Sequence, residues 1–136
     1  MPGKMALDSS IIAAMFFKEE ASERALKAAT EADIITLDLS FAEVGNVAWK
    51  KVVLSGADKE LTKRALEKCM SFIFEACDVV RFQDLALDAY EISIETKTTF
   101  YDSLFLALAE KEQVPLLTLD RRMYDRAKGK VNMKWI

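Results

Sequence analysis

Acidic side chains are the residues of this chain whose type and spacing could support chemistry. The sequence contains 22 aspartates and glutamates and no histidine. The lack of histidine excludes serine and cysteine nucleophile systems that depend on an imidazole, zinc sites with histidine ligands, and ribonuclease chemistry that uses imidazoles as acid and base. Any catalysis would therefore use carboxylates, hydroxyls, amines or a bound ion.

Two of these acids follow short apolar runs that have the character of strands. Asp8 ends the run KMALD and Asp120 ends the run PLLTLD. Ligands bind beyond the carboxyl ends of the strands in an open parallel sheet, which makes both acids candidates for a site. Aspartate is also favoured as the N-cap at a strand-to-helix turn. The sequence alone leaves both explanations open.

The third candidate, Asp102, stands at the start of FYDSLFLALAE, a segment whose other side chains are mostly apolar. An aspartate in the first turn of a helix complements the helix dipole by about 0.3–1 kcal/mol. Burying a carboxylate costs several kcal/mol unless it is paired or bound to a cation. Because no lysine or arginine lies within one helical turn of Asp102, the dipole alone is a weak explanation for it.

The fourth candidate, Glu43, begins a polar stripe that continues one and two helical turns later at Asn46 and Lys50. The other positions of this predicted helix are mostly apolar. A capping box between Ser40 and Glu43 would explain the glutamate. A polar pocket at the edge of the sheet, faced by the stripe, would explain it as well.

The four acids would form one site if the fold brings them together. Two of them would lie on adjacent strand ends and two would reach in from neighbouring helices. Such a cluster repels itself and raises its own pKa values unless a cation neutralises it. Ligand sets made only of oxygen suit the hard ions Mg²⁺ and Mn²⁺.

The elements that must position these acids alternate between strand and helix patterns. Strands are predicted at residues 4–7, 33–38, 78–83, 114–119 and 131–136. The first helical region, within residues 9–32, is predicted as one broken helix or two short ones. Further helices are predicted at 39–56, 58–77, 84–95, 99–112 and 120–129. Asp84 is the predicted cap of the helix at 84–95, and Gly56 and Gly129 are predicted to end the helices at 39–56 and 120–129. This alternation predicts an α/β three-layer sandwich around a mostly parallel sheet of about five strands, flanked by helices.

Length and composition indicate a single globular domain over residues 1–136, with 51% hydrophobic and 30% charged residues. Residues 1–4 are interpreted as a disordered leader or a cloning remnant. No apolar run approaches the roughly 18 residues of a transmembrane helix and no signal peptide is recognisable, which predicts a cytoplasmic protein. The net charge of −3 argues against a broad phosphate-binding surface and leaves room for a local one.

The two cysteines, Cys69 and Cys77, lie eight residues apart in one predicted helix. Their separation along the helix axis would be about 12 Å, which is too far for a disulfide. We therefore expect two reduced cysteines in the core.

Four segments, in chain order, resemble the motifs of PIN-domain ribonucleases and, within that family, the VapC-type toxins of prokaryotic toxin–antitoxin pairs. The segments are ALDSSII, FAEVGNVAWK, YDSLFLALAE and LLTLDRRMYDRA. The resemblance covers nearly the whole chain. It implies a PIN-like fold, Mg²⁺- or Mn²⁺-dependent endonucleolytic hydrolysis of RNA phosphodiester bonds, and one or two bound ions.

The resemblance also assigns roles to individual residues. The acidic quartet that holds the metal is Asp8, Glu43, Asp102 and Asp120. Polar residues expected to support the acids are Ser9, Ser10, Asn46 and Thr118, although Thr118 can also be interpreted as a core residue. Candidate contacts to RNA phosphates, each of which could equally be an ordinary solvated cation, are Lys50, Arg121, Arg122 and Arg126.

Two partners are implied by the same resemblance, a second copy of the chain and a VapB-type antitoxin that docks a helix. The segments at residues 11–17 and 70–77 carry more large apolar side chains than one helix face can bury. Core residues and interface residues cannot be separated by sequence, and the candidates are Met15, Phe16, Phe17, Phe72 and Phe74.

Two other functions remain to be weighed against this one. A phosphoacceptor receiver domain would need a paired acid at the first strand and a late lysine–proline step, whereas here Pro115 follows Val114. A catalytically inactive PIN-like module that binds RNA or protein is the second alternative. Because all four acids are present, nothing in the sequence favours loss of activity.

Overall fold

Strands and helices alternate through residues 3–136, the part of the chain that the computed structural model describes. In chain order the elements are β1 (Lys4–Leu7), α1 (Ser9–Phe16), α2 (Ser22–Thr30), β2 (Asp33–Leu37), α3 (Leu39–Val53), α4 (Lys59–Ala76), β3 (Cys77–Val80), a 3₁₀ turn (Phe82–Leu85), α5 (Ala86–Thr96), α6 (Phe100–Glu112), β4 (Leu116–Thr118), α7 (Arg121–Ala127) and β5 (Met133–Trp135). Of the leader expected at residues 1–4, residues 1 and 2 lie outside the described part. Lys4 already pairs in β1 with Asp33 of β2, so the leader prediction is wrong for this residue.

The strands form one parallel sheet in the order β3-β2-β1-β4-β5. The predicted α/β sandwich around a parallel sheet of about five strands is therefore confirmed. β1 lies at the centre and pairs with β4 in a register that aligns Leu7 with Leu117. Because the carboxyl ends of parallel strands meet at the same edge of a sheet, Asp8 and Asp120 follow neighbouring strands at one edge.

Helices cover both faces of the sheet and bury two apolar clusters. One cluster joins α5, α6 and α7 to the sheet, and the other joins α1, α2, α3 and α4 to the opposite face. The middle of α6, residues 103–109, is buried on every side, which explains why every residue from 104 to 109 is apolar. Within residues 3–136, none of the helices is both long enough and apolar enough to cross a membrane.

The predicted capping box of α3 is wrong. The helix begins at Leu39, one residue before Ser40, so Ser40 lies inside the first turn. Its hydroxyl is buried and shares a hydrogen bond with Thr36 Oγ1 at 2.8 Å. The carboxylate of Asp38, which precedes the helix, accepts a hydrogen bond from Phe82 N at 2.9 Å. Glu43 is therefore free to serve another role.

The predicted cap of α5 is also wrong. Asp84 lies within the 3₁₀ turn, and the α-helix begins only at Ala86. The turn is closed by a hydrogen bond from Asp84 N to Arg81 O at 3.2 Å. A short 3₁₀ segment at the start of a helix moves the boundary along the chain without changing the pattern of apolar residues.

The cysteines are reduced as predicted, but they do not share a helix. Cys69 lies in α4 and Cys77 is the first residue of β3, and both are free thiols. Burial raises the pKa of each thiol to about 12, so neither is a reactive thiolate near neutral pH.

The five large apolar residues proposed as interface candidates divide into core and surface. Met15 and Phe17 are buried in the cluster around α1, so of the two roles left open by the sequence they have that of core residues. Phe16 and Phe72 are partly buried and their ring centroids lie 5.7 Å apart. Phe74 is 79% exposed.

Candidate active site at the edge of the sheet

Asp8 is the most enclosed acid of the candidate site, at 5% exposure. It caps α1, because its Oδ1 accepts hydrogen bonds from the backbone N–H groups of Ser10 and Ile11 at 3.0 and 3.3 Å. The Ser10 hydroxyl also donates to Oδ1, and the Thr118 hydroxyl donates to Oδ2, each at 2.5 Å. The capping explanation and the site explanation for Asp8 therefore hold together.

The same two hydroxyls connect Asp8 to the segment that carries Asp120. Thr118 Oγ1 accepts from the backbone N–H of Asp120 at 3.0 Å, and Ser10 Oγ accepts from the backbone N–H of Leu119 at 3.1 Å. Thr118 is fully buried, but its side chain points at a carboxylate and not into the apolar core. Each hydroxyl thus donates to Asp8 and fixes the turn after β4.

Asp120 caps α7, with its Oδ1 accepting a hydrogen bond from Met123 N at 3.0 Å. Asp102 lies across from it in the first turn of α6, a helix capped by the Thr99 hydroxyl, which accepts from Asp102 N at 3.1 Å. Asp102 and Asp120 line one pocket of about 300 Å³ together with Thr99 and Arg122. The sequence did not single out Thr99, although a threonine three residues before an acid at a helix start is a capping signal.

Glu43 reaches the site from the first turns of α3. Its Oε1 accepts a hydrogen bond from the Ser9 hydroxyl at 2.9 Å, which connects α3 to the start of α1. Ser9 and Ser10, adjacent in sequence, therefore orient two different acids. Asn46, which was expected to support Glu43, is exposed on the surface of α3.

Three of the acids have pKa values raised by burial and by the charge of a neighbouring acid. Burial raises the pKa of Asp8 to about 6, an effect opposed by the hydrogen bonds from Ser10 and Thr118 and reinforced by the charge of Asp102. Burial is also the main cause of the raised pKa of Glu43, followed by the charges of Asp102 and Asp8.

Asp102 is affected in the same way. Burial raises its pKa first, and the charge of Asp120 raises it further. Among residues 3–136, none of the four acids takes part in an ion pair with lysine or arginine. The cluster is therefore an uncompensated concentration of negative charge.

This donor set fits a hard divalent cation, with one restriction on how directly it could be held. Within the described residues, no three acids or thiols lie close enough together to form a ready-made metal site. In this conformation, at most two carboxylates could ligate one ion directly. Such sparse ligation is typical of Mg²⁺, which retains several waters and is usually bound by one or two carboxylates together with substrate phosphates.

The four basic candidates are placed differently from one another. Arg122 and Arg126 border the pocket of Asp102 and Asp120. Arg126 also donates from Nη1 to the backbone oxygen of Lys97 at 2.7 Å, so part of its hydrogen-bonding capacity is used within the protein. Lys50 is exposed on α3, one turn beyond Asn46.

Arg121 faces away from the pocket. Its Nε donates to Asp125 Oδ1 at 3.1 Å, and its guanidinium lies 4.6 Å from the centroid of the Trp135 ring. Sequence reasoning missed Trp135, because nothing in the pattern of the last strand shows which neighbour its side chain meets.

Comparison with known proteins adds independent information. The family model for the PIN domain matches residues 5–129. Ribonuclease VapC3 of Pyrobaculum aerophilum is 36% identical over 124 residues, which cover 90% of this chain and 94% of the relative. Exonuclease VapC9 of the same organism is 30% identical over 99 residues, covering 72% and 70% of the two chains.

Solved structures with the same fold include PAE2754 of Pyrobaculum aerophilum, with a TM-score of 0.72 and 26% identity over 98% of this chain and 84% of that one. A toxin–antitoxin complex from Klebsiella pneumoniae matches with a TM-score of 0.65 and 19% identity, over 96% and 95% of the two chains. The second likeness supports the fold alone.

Replacing Asp102 with asparagine should raise the melting temperature of the metal-free protein by a few degrees at about pH 8, because one of four mutually repelling carboxylates is removed. The raised pKa of Asp102 means that the folded state binds this proton more strongly than the unfolded chain does. The carboxylate therefore destabilises the fold once the pH rises through its raised pKa. The gain should shrink toward about pH 3, where both states are protonated. Thermal unfolding in EDTA at both pH values measures it.

Asp88→Asn is the matched control for this experiment. Asp88 is also an acid in the first turn of a helix, but it is exposed on α5. Both substitutions remove a favourable dipole interaction, and only that of Asp102 relieves repulsion within the site. A loss of more than about 2 kcal/mol on Asp102→Asn would contradict the repulsion argument and indicate a structural role.

Proposed function

This chain belongs to the PIN-domain family and to its VapC branch, and on that basis we propose that it is a divalent-metal-dependent endoribonuclease and the toxin of a VapBC-type toxin–antitoxin pair. The observation that carries the chemical part of the proposal is the uncompensated acid cluster at the carboxyl ends of β1 and β4. Three of its members have raised pKa values caused by burial and by one another's charge. Helix capping explains Asp8 and Asp120 singly, but it does not explain why four acids are gathered at one edge of the sheet, which a cation site would require.

The residues that would hold Mg²⁺ or Mn²⁺ are Asp8, Asp102 and Asp120, with no more than two of them directly on one ion and the other acting through a bound water. Glu43 would be a ligand through water or the group that orients the attacking water. One or two bound ions would supply positive charge that attracts the scissile phosphate and favours loss of a proton from that water. Ser10 and Thr118 hold both oxygens of Asp8 in place. Ser9 does the same for one oxygen of Glu43.

The surroundings of the acids support approach by an anionic substrate. Arg122 and Arg126 border the pocket of Asp102 and Asp120, so positive and negative side chains line the same pocket. We propose that Arg122 contacts an RNA phosphate. Lys50, exposed on α3 beyond Glu43, is a second candidate on the other side of the site. Arg126 contributes charge while its Nη1 remains bonded to the protein backbone.

An exonuclease is the second candidate function, because one relative at 30% identity is named Exonuclease VapC9. The acid cluster would serve either activity, since the hydrolysed bond is the same. The two differ in whether the site requires a free RNA end. A circular RNA has no end and therefore distinguishes them.

In a nuclease assay, the protein should cleave linear and circular single-stranded RNA in Mg²⁺ or Mn²⁺ and should be inactive in EDTA. Asp102→Asn should lose about 100-fold or more in rate, because even residues that only support a metal ligand contribute about 10- to 100-fold. Asp88→Asn should cleave like the parent protein. Mn²⁺ should also raise the melting temperature of the parent more than that of Asp102→Asn, since a ligand that binds only the folded state stabilises it.

Each departure from this result has a definite meaning. Cleavage of linear RNA only would support an exonuclease and contradict the endonuclease proposal. Equal cleavage by the parent and Asp102→Asn would contradict the role of the acids. Folded parent protein that binds RNA in metal without cutting it would support the inactive binding module.

We also propose that the antitoxin docks a helix in the groove between α1 and α4. This groove has a volume of about 620 Å³, and the partly buried rings of Phe16 and Phe72 form its floor. Arg64, Glu67 and Lys68 line it as well, so an apolar floor is bordered by charges of both signs. A helix with an apolar stripe and charged flanks is the partner that such a groove fits.

Phe72→Ser should weaken binding of the cognate antitoxin without changing RNA cleavage. Truncating an aromatic anchor at the centre of an interface costs about 2 kcal/mol or more, which is roughly 30-fold in affinity. Phe74→Ser is the matched control, because Phe74 lies on the same helix, is 79% exposed and does not line the groove. Calorimetric titration measures both variants, and equal affinities for the two would argue against docking in this groove.

For the second expected partner, another copy of the chain, we propose the outer face of α5. Leu87, Tyr90 and Ile94 are exposed there at positions i, i+3 and i+7, so they form one apolar stripe on a helix whose opposite side packs on the core. A stripe of this kind on an otherwise charged helix is suited to a self-complementary contact across a two-fold axis.

The parent protein should have the molar mass of a dimer in light scattering, and Ile94→Lys should shift it toward the monomer because a desolvated charge at the centre of the interface is costly. Leu26→Lys, an exposed leucine on α2, is the control and should leave the dimer intact. A monomeric parent at micromolar concentration, or a dimer unaffected by Ile94→Lys, would contradict this assignment.

A further inference from the structure

Trp135 is fixed beside the acid cluster by the pairing of the last two strands. β5 pairs with β4 in a register that aligns Trp135 with Thr118, the residue whose hydroxyl donates to Asp8. Residues in register on parallel strands project from the same face of the sheet. The Trp135 indole N–H also donates to the backbone oxygen of Leu119 at 3.3 Å. The ring is thus held next to the turn that leads into Asp120.

The ring is held in place without being buried. Trp135 is 45% exposed, although tryptophan is a large apolar residue that usually contributes to a core. Arg121 lies over it with its guanidinium 4.6 Å from the ring centroid, and Asp125 holds Arg121 through a hydrogen bond at 3.1 Å. Arg121 and Trp135 therefore form a stack of guanidinium on indole that is open to solvent, and Asp125 holds the guanidinium from the side.

We propose that the Arg121–Trp135 stack binds one base of the single-stranded RNA next to the bond that is cut. This inference rests on the proposed ribonuclease function and adds to it a subsite for a base, which none of the phosphate contacts supplies. Unpaired RNA bases stack on aromatic rings and on arginine guanidinium planes, and such stacking tolerates different bases because every base has a π-face. A stack that is already formed in the free protein is suited to this role, since less conformational freedom is lost when the base binds.

The geometry also explains why Arg121 does not reach the acid pocket. The guanidinium charge of Arg121 interacts with Asp125 and with the face of the indole ring. What Arg121 offers to a ligand is therefore mainly the flat face of its guanidinium group and not a free positive charge. Arg122, the next residue, borders the pocket. The two arginines at the start of α7 therefore have different roles, with Arg122 facing a phosphate and Arg121 forming part of a platform for a base.

A purely structural role is the alternative, in which Arg121 and Trp135 only join α7 to the edge strand. The two roles predict different results with RNA that lacks bases. If the contact between Arg121 and Trp135 is purely structural, RNA with and without bases should bind equally well. If the contact forms a stacking subsite, binding requires the bases.

Fluorescence of Trp135 tests this directly in protein that keeps the stack intact. The Trp49→Phe substitution leaves Trp135 as the only tryptophan, and Asp102→Asn is added to prevent cleavage in Mg²⁺. A short single-stranded RNA should quench the fluorescence in a saturable manner. An abasic oligonucleotide of the same length and charge should not. No quenching by either, or equal quenching by both, would overturn the proposal.

Cleavage kinetics provide the second test. Trp135→Ala should raise KM roughly 5- to 140-fold, which corresponds to about 1–3 kcal/mol for one stacked base, while kcat changes little. Trp135→Phe should retain most of the affinity because it keeps a ring. Trp49→Ala is the matched control, since Trp49 is 52% exposed and lies about 9 Å beyond Glu43 along the axis of α3.

The outcomes separate this inference from the function on which it rests. If the parent protein cuts RNA and Trp135→Ala has the parental KM, the stacking subsite is wrong and the ribonuclease stands. If the parent does not cut RNA in any metal, the ribonuclease proposal fails, and the fluorescence titration still decides whether a base stacks. A loss of kcat and of Mn²⁺ affinity in Trp135→Ala at unchanged KM would indicate support of Asp120 and overturn the proposal.

Discussion

The hydrogen bonds received by the Asp8 carboxylate connect the central strand β1 to its neighbour β4, and the rest of the site depends on them. A carboxylate can only accept, so it needs donors on both oxygens. The Ser10 and Thr118 hydroxyls supply them, and each then accepts in turn from the backbone N–H of Leu119 or Asp120. Because a hydroxyl both donates and accepts, it can connect an acid on one strand to the backbone of the next. Alanine or valine at position 118 would leave Asp8 Oδ2 and the backbone N–H of Asp120 unpaired. At position 10 the same change would leave the backbone N–H of Leu119 unpaired, while Asp8 Oδ1 would keep its two backbone donors.

Asp102 is held by a different means, the burial of the helix behind it. Residues 103–109 of α6 lie in the core, and each fully buried leucine or phenylalanine contributes about 1.5–3 kcal/mol. At the front of the helix, a chain of buried hydroxyls runs from Thr96 through Thr98 to Ser103. It passes beneath Lys97, whose positive φ of 60° turns the chain sharply between α5 and α6. Apolar burial and satisfied polar groups together fix the position of the half-buried Asp102 carboxylate.

The sequence predicted those features that depend on local pattern. The alternation of strands and helices, and acids at the ends of β1 and β4, follow from periodicity and from the chemistry of the strand-to-helix turn. The predicted capping box at Ser40 is wrong because α3 begins at Leu39, almost directly after β2. The carboxylate of Asp38, the residue before the helix, accepts a hydrogen bond from the distant backbone N–H of Phe82. The partners of long side chains are set by tertiary neighbours that no local pattern contains. Arg126 bonding to Lys97, and Arg121 lying on Trp135, are both of this kind.

The acid cluster also determines how the stability of the fold depends on pH. The carboxyl of Asp8 has a pKa of about 6 in the fold against 3.8 in an exposed aspartate, so the folded state holds the proton more strongly. The contribution of Asp8 to the stability of the fold is greatest below pH 3.8. It is lost as the pH rises through about 6, a change on the order of 3 kcal/mol. Near neutral pH the metal-free fold therefore carries a buried, destabilising charge at the carboxyl end of its central strand. A cation that binds only the folded state would offset that loss, and the same linkage makes metal affinity increase with pH as protons leave the site. Thus the carboxylate that destabilises the metal-free fold near neutral pH is also one that the proposed divalent ion would stabilise.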